Sequence, residues 1–223
     1  MAYYSFKEKY FKFEITMGTK KIGCVIAYRK GHTNYGTSLV GYALIKKIQK
    51  LGYDVEVINY VKRPTLIQKM AWVINAMRCG MGNVISDRLK GVKDLKNNAE
   101  YAANIKIRTD AVEAYKKRKL LPFFKDYVGF KALHDGSKKY DIIIVGSDQI
   151  WTPLSLPTKF FNLLFVDDKV RKVAYASSFG VSSIPEFQKK ATGAYLDRFH
   201  AIGMRELSGK KIVDALSRQT AQV

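Results

Sequence analysis

Cysteine, histidine and acid are scarce in this chain of 223 residues, and each scarcity closes a class of function. The two cysteines, Cys24 and Cys79, have neither CxxC spacing nor a histidine cluster beside them, which argues against a disulfide scaffold or a zinc ribbon and makes both reduced residues of the core. His32, His134 and His200 are too dispersed to assemble a metal site, so no metal is expected. No apolar run approaches the ~18 residues that a membrane helix needs, and the opening MAYYSFKEKY lacks the apolar stretch of a signal peptide. The expected location is the cytosol. GHTNYG is neither GxGxxG nor a P-loop, which leaves dinucleotide and ATP binding without a motif, and zinc-finger, RRM and helix-turn-helix signatures are missing too.

What is abundant is positive charge. Lys and Arg number 39 against 19 Asp and Glu, a net of +20, which implies an anionic partner: nucleic acid, phospholipid headgroups or a phosphorylated substrate. Between Lys62 and Lys139 there are 18 cations and 7 acids, so over half of the excess lies in one segment and a basic patch is expected. The 47% hydrophobic content is enough for a substantial core, which excludes disorder.

The apolar pattern alternates strand with helix. KIGCVIAY (Lys21 to Tyr28) reads as a buried strand and runs into the polar loop RKGHTNYG. A helix over SLVGYALIKKIQKLG follows, with Leu39, Tyr42, Ala43, Ile45 or Lys46, and Leu51 at near-helical spacing and with Gly52 as its stop. DVEVINY, with Val55, Val57 and Ile58 toward a core, completes a βαβ unit, whose strands are parallel. From 62 to 139 the signal turns helical and basic, and reads as a helical insertion. In it TLIQKMAWVINAMR is apolar nearly all round and predicts a helix that is buried or covered by a partner. AYKKRKLLPFF predicts a surface. YDIIIVGSDQIW, FFNLLFV, VRKVAYASSFG and HAIGMRE then read as strands, and PEFQKKATGAYLDRF and LSGKKIVDALSRQ as helices. The sum is an α/β domain, a Rossmann-like open and mostly parallel sheet flanked by helices. It is expected over 21–216, after an extension at 1–20 and before a tail at 217–223 that stops where another strand is due. Phe11, Phe13 and Ile15 alternate with charge, so 1–16 reads either as an extra edge strand or as an extension without a role.

In open parallel sheets ligands bind at the carboxyl ends of strands. The polar candidates fall there: His32, Asn34, Tyr35 and Gly36 after the first strand; Ser147, Asp148, Gln149 and Trp151 after IIIV; Ser177 and Ser178 after VAYA; Arg205 and Glu206 after AIGM. Each also has a plain reading. Asn34 and Gly36 suit a helix cap, Asp148 a cap with Trp151 in the core, and Arg205-Glu206 an ion pair at a strand end.

In order, however, KIGCVIAY, NYGTSLVGYAL, KKIQKLGYDVEVINY, YDIIIVGSDQIW, KVAYASSFG and HAIGMRELSGKKIV resemble the polysaccharide pyruvyl transferase family, over about Lys21 to Leu216. Val40 departs from the pattern, standing where many relatives carry Gln. The resemblance implies one half, the amino-terminal one, of a two-domain fold of the GT-B type. It implies a transferase that moves the pyruvyl group of phosphoenolpyruvate onto two sugar hydroxyls as a ketal, without a cofactor, in the synthesis of cell-surface polysaccharide. On this reading a half chain alone is inactive. Arg205 is then the anion clamp, Asp148 and Glu206 accept a hydroxyl proton or orient Arg205, and Asn34, Gln149 and Trp151 hold a sugar. The acceptor is a glycan or a lipid-linked saccharide, and the basic segment contacts an anionic membrane at its inner face. A sugar-nucleotide glycosyltransferase of similar shape, a silent fragment, and a basic module that binds nucleic acid through stretches such as RKLLPFFKDY stay open as alternatives.

Overall fold

Successive rather than alternate positions are apolar in strands such as Ile142–Val145, a pattern that needs cover on both faces, and the computed structural model shows both faces covered. It describes residues 20–31, 34–80 and 98–223; His32 and the alternating stretch at 1–16 lie outside them. β1 (Lys21–Val25) is shorter than KIGCVIAY, although Ile26 beyond its end is still buried. α1 (Tyr35–Lys50) follows, then β2 (Asp54–Val61), α2 (Leu66–Arg78), α3 (Ala99–Lys119), β3 (Phe124–Val128), α4 (Gly129–Ser137), β4 (Ile142–Val145), β5 (Arg171–Ser177), α5 (Glu186–Leu196), β6 (Ala201–Met204) and α6 (Leu207–Leu216).

Six strands form one sheet in the order β3-β2-β1-β4-β5-β6, and every pair is parallel. This is the Rossmann-like order, with the direction of winding reversing between β1 and β4. Ile22, Cys24, Val55, Val57 and Ile144 turn to one face, where α1 supplies Leu44, Ile45 and Ile48. Val25, Ile58, Ile143, Val145 and Ala174 turn to the other, against Leu133 of α4, Leu196 of α5, and Ile212 and Val213 of α6. Cys24 is wholly buried, and burial pushes its thiol pKa up to about 12.

Four expectations change. FFNLLFV is no strand but a run of turns, with Leu163 at φ 52°; Phe160, Leu163, Phe165 and Val166 fill the core where a crossover helix would otherwise sit between β4 and β5. The basic segment is not wholly helical, because it holds β3, paired with β2 from Val57↔Phe124 to Val61↔Val128. As an edge strand β3 buries only Tyr127 and exposes Lys125 and Asp126, so it shows no apolar alternation. In α1 the buried stripe is Ser38, Gly41, Leu44, Ile45 and Ile48, and Leu39 is exposed. α2 has no buried residue at all. At the far end of the chain Gln222 bridges to Gly203 in parallel, on the outer edge of β6.

Caps fix the helix starts. Asn34 accepts from Thr37 N at 3.4 Å, Asn98 from Tyr101 N at 2.9 Å, and Thr65 and Gln68 form a reciprocal capping box. At the amino-terminal edge of the sheet Glu56 gathers Lys21 Nζ at 2.7 Å, Lys139 Nζ at 2.5 Å and Tyr140 OH at 2.8 Å. Burial works to raise its pKa, but the hydrogen bonds from Lys139, Lys21 and Tyr140 outweigh it and hold the carboxyl at about 2. A depressed carboxyl stabilises the fold above its unfolded pKa and loses that contribution as pH falls toward the folded value. Glu56→Gln should therefore cost about 2 kcal/mol in urea unfolding at pH 7, with the gap from the parent narrowing as pH falls from 4.5 toward 2.

Candidate functional site

Because all strands run the same way, the turns after β1, β4, β5 and β6 emerge along one edge of the sheet. The turn after β4 is the most constrained. A Cβ on Gly146 would lie 2.4 Å from Tyr175 O, so only glycine lets the chain pass β5. Gln149 then takes φ 53° and lies against Gly180, at φ 66°, where a Cβ would come within 2.8 Å of Gln149 Cγ. Trp151 N donates to Ser178 O at 3.1 Å, which ties this turn to the one after β5.

Across that joint the charged candidates meet. Arg205 Nη1 and Asp148 Oδ2 are 3.2 Å apart, with side chains 52% and 50% exposed. Arg205 N donates to Ser177 O at 3.0 Å, fixing where the guanidinium leaves β6. Ser178 Oγ donates to Glu206 Oε1 at 2.6 Å and accepts from Gly180 N at 3.0 Å. Asp148, Gln149, Ser178, Arg205 and Glu206 thus form one cluster from three neighbouring strands, although they span nearly sixty positions of sequence.

Other candidates lie elsewhere. Ser147 and Ser177 are buried, and Ser177 Oγ points back to Val145 O at 3.4 Å. Trp151, 3% exposed, is a core residue: its Nε1 donates to Phe161 O at 3.0 Å and its ring packs against Phe179, Tyr195 and Phe199. Here it offers no ring face on which a sugar would stack; it holds the turn in place. Asn34, Tyr35 and Gly36 stand at the start of α1, one strand over from β4, with the guanidinium of Arg108 5.6 Å from the Tyr35 ring centre. Behind Trp151 is a cavity of about 10 Å³ lined by Asn162 and Gln188, with room for one water and no substrate.

Sequence reading missed the brace on the first loop. Glu113 of α3 accepts from Gly31 N at 2.9 Å, while buried Lys116 donates to Arg29 O at 2.9 Å and to Glu113 at 2.7 Å. These partners are over eighty residues apart, and the only local hint is the i,i+3 spacing of Glu113 and Lys116.

A half-exposed guanidinium, a facing carboxylate and a second carboxylate oriented by serine suit the binding of an anion beside a group able to take a proton. Among curated proteins and among solved structures no match is found. A family model described as polysaccharide pyruvyl transferase matches residues 34–218, which includes the start of α1 and every turn of the cluster. With most of its length matched in this way, the chain belongs to the polysaccharide pyruvyl transferase family.

Proposed function

We propose that the chain takes phosphoenolpyruvate as donor and serves to place its pyruvyl unit on two hydroxyls of a sugar as a ketal, with a glycan or lipid-linked saccharide as acceptor. The observation that carries this reading is Arg205, half exposed beside Asp148 at the carboxyl edge of the sheet. Phosphoenolpyruvate offers a carboxylate and a phosphate, and a guanidinium grips either through two parallel N–H bonds. An exposed ion pair is worth at most about 1 kcal/mol, so Arg205 exchanges Asp148 for the donor at little cost. In this reading the chain supplies one Rossmann-like half of a two-domain transferase, donor and acceptor meet between the halves, and this half alone does not turn over. It works in the cytoplasm, with its basic surface against the anionic inner face of the membrane.

A proton adds to the donor methylene, making a methyl group and leaving positive character on the neighbouring carbon. One sugar hydroxyl attacks that carbon and loses its proton, phosphate departs with the C–O electrons, and the second hydroxyl attacks and loses its proton in turn. In this reading Asp148, released from Arg205, and Glu206, held by Ser178, accept the hydroxyl protons. Asn34 and Gln149 supply amides for the sugar.

Arg205→Lys keeps the charge and loses the fork, and should weaken phosphoenolpyruvate binding, measured by calorimetry, about tenfold or more. Unchanged affinity would remove Arg205 from the site. Asp148→Asn frees the guanidinium and should tighten binding of the same donor by about threefold, since the competing ion pair is lost; weaker binding would mean that Asp148 orients Arg205 rather than competing for it.

A further inference from the structure

α2 lies on the domain with its apolar side outward. At 100° per residue Leu66, Ile67, Met70, Val73, Ile74 and Met77 fall within an arc of about 120°, and all six are 53–79% exposed. The opposite arc carries Trp72, Asn75 and Cys79, and holds the helix down by polar contacts. Trp72 Nε1 donates to Pro157 O at 3.4 Å, Asn75 Nδ2 to Pro153 O at 3.2 Å, and Gln188 Nε2 of α5 to Asn75 Oδ1 at 2.7 Å. Packing toward the core therefore does not account for the apolar stripe.

Charge says what covers it. From Lys62 to Gly80 there are four cations, Lys62, Arg63, Lys69 and Arg78, and no acid. Lys69 and Arg78 bracket the apolar arc, one on each side, and the Arg78 guanidinium rests 3.9 Å from the centre of the Phe187 ring. Cations on the flanks of an apolar arc match anionic headgroups above acyl chains. A second copy of the segment 62–80 would instead bring eight cations together with no acid in that segment to balance them. At 13 residues α2 is too short to span a bilayer and the right size to lie in its surface.

We propose that α2 is an interfacial helix that inserts Leu66, Ile67, Met70, Val73, Ile74 and Met77 into an anionic membrane surface. The proposal rests on the reading above that the basic face meets the membrane, and adds that apolar burial, not charge alone, holds it there. The inner side of α2 is bonded to Pro153 and Pro157, just after the turn that carries Asp148, so the inserted helix sets the site at the bilayer surface.

The test is sedimentation of the chain with vesicles of phosphatidylcholine, with and without phosphatidylglycerol, at low and high salt. The parent should bind the phosphatidylglycerol vesicles and keep a substantial bound fraction at high salt. Met70→Glu combined with Ile74→Glu should lower the partition coefficient about tenfold or more with circular dichroism unchanged. Binding by that variant equal to the parent's, and wholly abolished by salt, would overturn insertion while leaving electrostatic docking intact. Failure of the parent to bind either vesicle would overturn both. A dimer in sedimentation equilibrium that the variant breaks, without vesicle binding, would make the face a self-association surface and overturn the proposal.

Discussion

The parallel pairing of β1 with β4, Ile22↔Ile142 through Val25↔Val145, is the constraint on which the rest depends. It joins the two parts of the sheet that are wound in opposite senses, β1-β2-β3 and β4-β5-β6. Pairing β4 with β5 and β5 with β6 then lays the GSDQ, SSFG and Arg-Glu turns side by side. Tyr175 O fixes the spacing from within, since it leaves no room for a side chain at position 146. The meeting of Arg205 with Asp148 is thus a result of sheet order.

Much of this was legible in the sequence because it is written in short-range pattern. The apolar runs Lys21–Val25 and Ile142–Val145 are bounded by charge and glycine, and only burial on both faces rewards such runs. The placing of candidate turns at strand ends followed from there. β3 was illegible because an edge strand needs little apolar surface, and FFNLLFV misled because a core plug made of turns has the composition of a strand without its hydrogen bonds. Trp151 was ambiguous for a similar reason: one ring can stack on a ligand or fill a core, and only the position of Phe161 O and three neighbouring rings decides. The brace from Glu113 and Lys116 to the first loop depends on a contact over eighty residues long, beyond any periodicity.

Scarce acid is deployed at joints. Glu56 ties β2 to Lys21 and Lys139, Glu113 ties α3 to the first loop, Asp168 meets Arg198 and Lys172, and Asp197 meets Arg218. With the carboxylates committed in this way, cations such as Lys62, Arg63 and Lys69 sit on a stretch without local acid. On that same stretch α2 turns its apolar side outward.

The two thiols give the molecule built-in clocks of different kinds. Cys24 sits at the centre of the sheet with no exposed surface and a thiol that burial keeps protonated, so an alkylating reagent reaches it only when the sheet parts. Cys79, at the end of α2 and 3.8 Å from Gln188 Nε2, is only partly covered. Alkylation of Cys24 therefore reports opening of the whole domain, against Cys79 as a thiol reached without that opening, with no label added to the chain.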